Sequence, residues 1–477
     1  MRASSQTYDG PIQREWLATG GLYILEGLVV LVLFSFYRAS GKEHVAGSLM
    51  SFWGLVFVSA LIGVVVLTFV IGRSCYQQWQ AGSREWLLGL AMNVLVVGLL
   101  ILVAEVALRY ATVHGTFDEK LGKHLIYPRH WDEVTATYSA VLAKAQQHPT
   151  YLIPDNTLGW TVAPNRKSEN GMYMSSLEGL RSAIQGVSLK GGTASCRIAL
   201  VGDSFTFGES VAFEDSWGSQ IDRDLQGRCQ ILNFGVSGYG IDQMYLRYLQ
   251  DVRPWHPDMV VFGFVSDDLR RTMSTYGFLI FPDGRFPFTK PRFVLKDDQL
   301  EVINQPLLPP GETFAYTSIH DLPFINYDVG YERTEWNRPG WEVFEQSYIF
   351  RLLTSLYPLH KLERPETSNS ETGRLNRALL QKARQAIIDD GAKPLIVFFP
   401  TEWDLREDAK EPSGVKILQN MQMAHVDLTP CMKSYLRSTD LFSASDLYGH
   451  YSPQGNLQAA KCLIEDIKSM MHGFASP

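Results

Sequence analysis

The chain has 477 residues, 45% of them apolar, and a formal net charge of −7. That length exceeds one ordinary domain, and the negative balance argues against a nucleic-acid role. Five cysteines and eleven histidines lack the paired spacing that a zinc ribbon or an imidazole-based metal site needs, and neither common phosphate-binding glycine loop is present, so no metal or cofactor is expected.

The composition shifts near residue 110. Before it lie three apolar runs: 17–37, whose single charge is Glu26; 49–72, with none; and 86–108, whose single charge is Glu105. Each is long enough for a bilayer core of about 30 Å at about 1.5 Å per residue. Trp16, Tyr37, Trp79 and Trp86 stand near their ends, where interfacial aromatics sit. Residues 1–110 therefore read as a three-helix transmembrane anchor in the lipid bilayer. Glu26, mid-span, is expected to be neutral and satisfied within the bundle, and Glu105, followed by Arg109, to reach the interface. No small-residue cleavage site precedes Arg38, so the first run does not read as a removable signal peptide. A bundle larger than tethering requires points to another membrane protein as partner, such as an acyl donor.

Residues 111–150 read as a polar, helical connector, with helical spacing over 131–147. The domain proper is expected over 151–477. Its first strand is the apolar run 197–201, which ends on Gly202-Asp203-Ser204 and leaves Ser204 at the strand's carboxyl end. Open α/β sheets bind ligands at that edge. Further strands are predicted at 230–234, 259–265, 394–400 and 424–428, alternating with helical stretches 216–225, 243–252 and 375–390, which gives an α/β fold of doubly wound, three-layer type. Cys196 and Cys229 precede the first two strands, whose starts would lie close enough to bridge. Cys431 and Cys462 flank a loop near the carboxyl terminus and form a second candidate pair, leaving Cys75 over. The alternative is four buried thiols. Paired cysteines imply an oxidising compartment, placing the large domain in the periplasm or otherwise outside the cytoplasm, with the amino terminus inside. Basic residues are too evenly divided to decide the topology.

A long insertion spans about 273–365. Within it, 292–303 reads as a hairpin turning at Asp297-Asp298. Its aromatics, among them Tyr276, Phe278, Phe281, Phe286, Phe288 and Trp336, suit a small satellite core better than a sugar-stacking surface. Near the end, Asp446 and His450 precede an amphipathic helix over 457–471. Serine is a poor nucleophile unless an imidazole takes its proton and a carboxylate fixes that imidazole's tautomer. Asp446 and His450 supply both groups.

Four blocks together resemble the SGNH, or GDSL, hydrolases: Gly202-Asp203-Ser204; Asn233-Phe234-Gly235-Val236-Ser237-Gly238; Phe262-Gly263-Phe264-Val265-Ser266-Asp267-Asp268; and Asp446 with His450. They stand in the family's order. Asp155 to Trp160, Pro164-Asn165 and Gly179-Leu180-Arg181 look like the lead-in of membrane-anchored members. The resemblance covers roughly 150–475. It implies an SGNH-type, flavodoxin-like parallel sheet, with Ser204 as nucleophile, His450 as general base, Asp446 as its orienting group, and the N–H groups of Ser204 and Gly238 in the oxyanion hole.

Two departures stand out. The family places an asparagine in the third block as an oxyanion donor, and this chain has Asp267 there. A carboxylate about 4 Å from an oxyanion repels it by about 4 kcal/mol at an effective dielectric near 20. Asp267 would have to be protonated, turned away or replaced, for example by Ser266. Asp446 also lies four residues before His450 rather than two or three, an excess that Gly449 could absorb, with Asp440 a poorer alternative. The expectation is a membrane-anchored serine esterase or O-acyltransferase. By resemblance alone, its substrate would be an acylated, and specifically acetylated, carbohydrate of a cell-surface polysaccharide. The alternative is a degenerate carbohydrate-binding or assembly subunit, favoured by Asp267 and opposed by the intact Ser204 and His450.

Overall fold

A computed structural model describes most of residues 85–471. The gaps are 116–117, 123, 193, 282–285, 339, 357–369, 407–408, 436–439 and 445–448, and residues before 85 are described only in scattered positions. The chain divides into two compact units, Met1–His130 with Glu332–Glu363, and Trp131–Tyr331 with Arg364–Pro477.

The first unit corrects the membrane expectation. Among the described residues no helix is long and apolar enough to cross a membrane, so neither a three-span protein nor the localisation built on it stands. The runs 17–37 and 49–72, and Glu26 with them, lie almost wholly outside the described residues. The third run falls in the helix Glu85–Ala111. Its last turns are engaged with protein. Glu105, expected at a lipid interface, accepts the N–H groups of Tyr348 (2.7 Å) and Ile349 (3.0 Å) and the Ser347 hydroxyl (2.9 Å), which open the helix Tyr348–Leu356. Arg109 donates to the Gln346 carbonyl at 3.0 Å. A carboxylate at a helix start is stabilising because it satisfies N–H groups that have no intrahelical partner.

The second unit carries a seven-stranded sheet. In chain order its strands are β1 (Met174–Ser175), β2 (Arg181–Ser182), β3 (Cys196–Val201), β4 (Cys229–Asn233), β5 (Met259–Phe264), β6 (Lys393–Phe398) and β7 (Val426–Asp427). Across the sheet the order is β7-β6-β5-β3-β4-β2-β1. β3 to β7 pair in parallel, with Ile198 opposite both Ile231 and Met259, while β1 and β2 add an antiparallel edge. The parallel part therefore has flavodoxin-like order, and its strand order reverses beside β3, where such folds open a crevice.

The labelled helices of this unit are α1 (Trp131–Gln147), α2 (Ser204–Phe207), α3 (Trp217–Leu225), α4 (Ile241–Arg247), α5 (Ser266–Arg271), α6 (Glu371–Asp389), α7 (Ser413–Asn420) and α8 (Pro453–Met471). Because successive strand side chains point to opposite faces, the apolar runs fill two cores at once. Ala199, Val201, Val260, Phe262 and Phe264 meet Ile241 and Met244 of α4 and Leu375, Leu379 and Ala383 of α6. On the other face Ile198, Leu200, Met259 and Val261 meet Trp217 and Ile221 of α3 and Leu463 and Ile467 of α8. A sheet covered on both faces explains strands that are apolar throughout rather than alternating.

The predicted hairpin is formed by Phe293–Lys296 and Gln299–Val302. Asp297 and Asp298 between them have φ of 49° and 60°, as a type I′ turn requires at both central positions. Tyr276, Phe278, Phe281, Phe286, Phe288 and Trp336 of the insertion are all buried. Two disulfides form, Cys196–Cys229 and Cys431–Cys462. The first joins residues directly opposite each other at the start of β3 and β4.

Each disulfide closes a loop of just over 30 residues, which in the chain-entropy account stabilises by about 3–4 kcal/mol. Replacing Cys196→Ser together with Cys229→Ser is expected to lower the unfolding free energy by about that amount in denaturant titrations. An unchanged midpoint would show that the sheet holds this edge without the bridge.

Candidate active site

The serine turn is built by close packing that only glycine permits. A Cβ on Gly202 would stand 2.0 Å from Thr206 Oγ1 and 2.6 Å from the Gly263 carbonyl oxygen of β5. The chain therefore passes from β3 into α2 pressed against the neighbouring strand. Asp203 caps this single turn: its side chain accepts the Phe205 N–H at 2.9 Å. Gly208, at φ 79°, ends the turn and donates to the Ser204 carbonyl at 3.0 Å.

His450 arrives from the loop before α8. Its Nε2 lies 2.8 Å from Ser204 Oγ, and both residues are buried. Its position is fixed by its neighbours. The His450 carbonyl accepts the Ser443 N–H at 2.8 Å, and the Tyr451 hydroxyl donates to the Pro400 carbonyl at 2.7 Å. Ser452 caps α8 by accepting the Gly455 N–H at 3.0 Å. Gly455 packs so tightly that a Cβ would stand 2.0 Å from the Leu441 carbonyl oxygen. Asp446 lies outside the described residues. Asp440 is exposed, and its carbonyl accepts the Ser452 hydroxyl.

The loop after β4 is tied to the serine turn from the other side. Asn233 donates from Nδ2 to the Thr206 carbonyl and accepts the Gly235 N–H, both at 2.9 Å. Gly238 has φ 82° and lines the cleft beside Ser204. Among the described residues no hydrogen bond uses the backbone N–H of Ser204 or of Gly238. Trp160, from the lead-in segment, donates to the Ser237 carbonyl at 2.9 Å, and Tyr239 donates to the Trp160 carbonyl at 2.6 Å. The lead-in thus buttresses this loop.

Asp267 is exposed on α5 and lines the same cleft. One helical turn on stands Arg271, a cleft residue that motif reading missed. Its Nη1 lies 2.6 Å from Asp268 Oδ1, 3.4 Å from Asp203 Oδ2 and 3.2 Å from the Tyr239 carbonyl oxygen. Asp268 also caps α5 by accepting the Val265 N–H at 2.9 Å. Two fully buried carboxyls therefore share one guanidinium beneath the serine. Burial pushes Asp203 above the usual carboxylate range, opposed by the Arg271 charge. Burial and the Asp203 charge push Asp268 well up. Burial lowers Arg271, but Asp268 and Asp203 more than offset it. The available signal was the spacing: acidic residues at 267 and 268 followed by arginine three and four positions later share a helix face.

The cleft is open and has a volume of about 340 Å³. Phe281 and Phe286 form its apolar wall, and Glu209, Glu402 and the exposed Trp403 stand at its polar rim. With an imidazole on a serine hydroxyl, uncommitted amides beside it and room for a ligand, the arrangement can perform nucleophilic acyl transfer.

No protein-family model matches the chain, and no curated protein matches it. Among solved structures it is similar to a lipolytic protein of the G-D-S-L family from Desulfitobacterium hafniense, at 12% identity and a TM-score of 0.27, covering 56% of this chain and 99% of that one. It is also similar to a catalytic variant of an acetylxylan esterase from Geobacillus stearothermophilus (12%, TM-score 0.31, 57% and 94% covered) and to a lipase/acylhydrolase from Enterococcus faecalis (13%, TM-score 0.30, 57% and 96% covered). Likenesses this distant carry no argument about family or activity.

A carboxyl whose pKa is raised by folding holds its proton more tightly in the native state. Its contribution to stability is full at low pH and is lost as pH rises through the raised value. The stability advantage of the wild type over Asp268→Asn should therefore be full near pH ~4, close to the unfolded aspartate value, and shrink as pH rises above it. Thermal melts at rising pH measure it, and a constant difference would mean that Asp268 is ionised in the fold throughout.

Proposed function

We propose that this protein is a serine esterase that acts through an acyl-enzyme on Ser204. The observation that carries this reading is the 2.8 Å contact between His450 Nε2 and Ser204 Oγ within an open cleft. His450 takes the hydroxyl proton as Oγ attacks the ester carbonyl carbon. The carbonyl oxygen becomes an oxyanion, which the N–H groups of Ser204 and Gly238 receive. His450 then returns the proton to the departing alcohol oxygen, the C–O bond breaks, and the acyl group stays on Ser204. A second cycle with water releases the acid; with a sugar hydroxyl it yields transfer by the same residues. Asp446 is the proposed orienting carboxylate of His450. The polar rim of Glu209, Ser237 and Glu402 suits a short acyl group, such as acetyl, on a polar carbohydrate alcohol better than a long-chain ester.

A fluorophosphonate probe is expected to label Ser204, with labelling abolished in Ser204→Ala and strongly reduced in His450→Ala, read by mass spectrometry. Folded wild-type protein that takes no label would overturn the esterase reading. Asp267 supplies a second test. Since its negative charge faces the cleft where the oxyanion forms, Asp267→Asn is expected to raise the acylation rate on the order of tenfold, a fraction of what a well-placed oxyanion donor supplies. A slower variant would show that Asp267 helps the reaction as a carboxylate.

A further inference from the structure

A second groove, with a volume of about 500 Å³, meets the catalytic cleft at Glu209, Ser237 and Phe286, which line both. The two spaces also share the serine turn. Ser204 at its start lines the cleft, and Phe207 at its end lines the groove. The groove and the cleft therefore border opposite ends of the one turn that carries Ser204.

The groove's aromatic wall is preorganised. Tyr151, Tyr173 and Phe207 pack on one another with ring centroids 5.1 to 6.0 Å apart. Buried Arg181 stacks behind Tyr173 at 4.6 Å and Phe207 at 4.9 Å. The Tyr151 hydroxyl donates to the Met174 carbonyl at 3.1 Å, and the Tyr173 hydroxyl accepts the Ser210 N–H at 3.0 Å. Rings fixed in this way offer surface without further entropic cost on binding. Opposed to them is a polar margin of Ser168, Glu169 and Asn170. Asn170 Oδ1 accepts from the Ser168 hydroxyl and the Met172 N–H, and among the described residues nothing accepts from its Nδ2. Ser237 Oγ donates to Glu209 Oε2 at 2.5 Å where the two spaces join.

This lining selects one ligand chemistry. The carboxylate of Glu209 disfavours an anion, Glu169 being paired with Lys144 at 3.2 Å, and the polar margin disfavours an alkyl chain, whose burial would desolvate those groups without pairing them. The half-buried faces of Tyr151 and Tyr173, backed by buried Phe207, together with the carboxylate and amide groups fit a neutral polyhydroxylated chain, with C–H faces on the rings and hydroxyls on the margin. Resting on the reading that Ser204 attacks an ester, we infer that the groove binds the neutral oligosaccharide chain that bears this ester, several sugar units away from the reacting acyl group.

The test compares chain lengths. The wild type is expected to show at least tenfold higher kcat/KM on acetylated cellohexaose than on acetylated glucose, and Leu152→Trp, which fills the groove, is expected to erase that difference while melting near the wild-type temperature. Should this variant fail to fold, Glu169→Ala, at an exposed position, is expected to reduce the chain-length advantage about threefold. Equal rates on both sugars, or a comparable gain on p-nitrophenyl octanoate instead, would overturn the inference. Calorimetric binding of unacetylated cellohexaose to Ser204→Ala keeps the two readings apart. Binding there supports the groove even if fluorophosphonate labelling fails, and no binding overturns it even if labelling succeeds.

Discussion

The site rests on a carboxylate that water does not reach. Asp203 is fully buried, yet it caps the serine turn through the Phe205 N–H and stands against Arg271. Burying a charge is costly unless it is paired and hydrogen-bonded, and removing one partner of such a pair typically costs about 3–5 kcal/mol. That penalty keeps the turn in register. If Ser204 shifted, Asp203 would lose its amide partner inside a medium that offers no replacement. The same guanidinium also contacts Asp268, which caps α5. One cation thus locks the starts of two adjacent helical turns, which follow strands β3 and β5 on either side of the point where the strand order reverses.

From that lock the two walls of the cleft follow. The serine turn leaves β3 against β5 with no space for a side chain at Gly202, and the loop after β4 is bonded to it through Asn233. The His450 loop is set by independent devices on the opposite face: a capped α8, the Tyr451 hydroxyl on Pro400, and the Cys431–Cys462 bridge between the segment before the loop and α8. Ser204 and His450 are thereby held by different parts of the chain, 246 residues apart, and meet at hydrogen-bond distance. Such convergence onto the carboxyl edge of a parallel sheet is where an open α/β fold can place groups from several loops around one ligand.

Much of this was legible because buried parallel strands are written as short apolar runs closed by glycine or a polar breaker. Residues 197–204 have that form, and the cysteines at the start of two such runs anticipated the register of β3 and β4. Boundaries were less legible. The helix predicted over 243–252 begins at Ile241, where Gln243 Oε1 accepts the Gly240 N–H, and widens at Tyr248–Val252, boundaries set by local capping and core packing rather than by periodicity. The apolar run 86–108 misled because hydropathy alone does not say what a helix faces. The partners of Glu105 lie more than 240 residues further along the chain, beyond any local pattern.

Arg271 shows a different limit. The spacing of Asp267 and Asp268 to Arg271 places them on one helix face, but such charge runs usually belong to solvated faces, so the pattern alone does not mark the arginine as central. It became central only when α5 was set beside α2 by the pairing of β3 with β5, which brings Asp203 within reach. The departure at Asp267 acquires its physical setting from the same arrangement. A carboxylate one turn before Arg271 on the same helix interacts with that cation as well as with whatever forms over Ser204. The electrostatics of the cleft are therefore a balance among Asp203, Asp267, Asp268 and one guanidinium. A change at any of the four alters both the stability of the serine turn and the electrostatic field over Ser204.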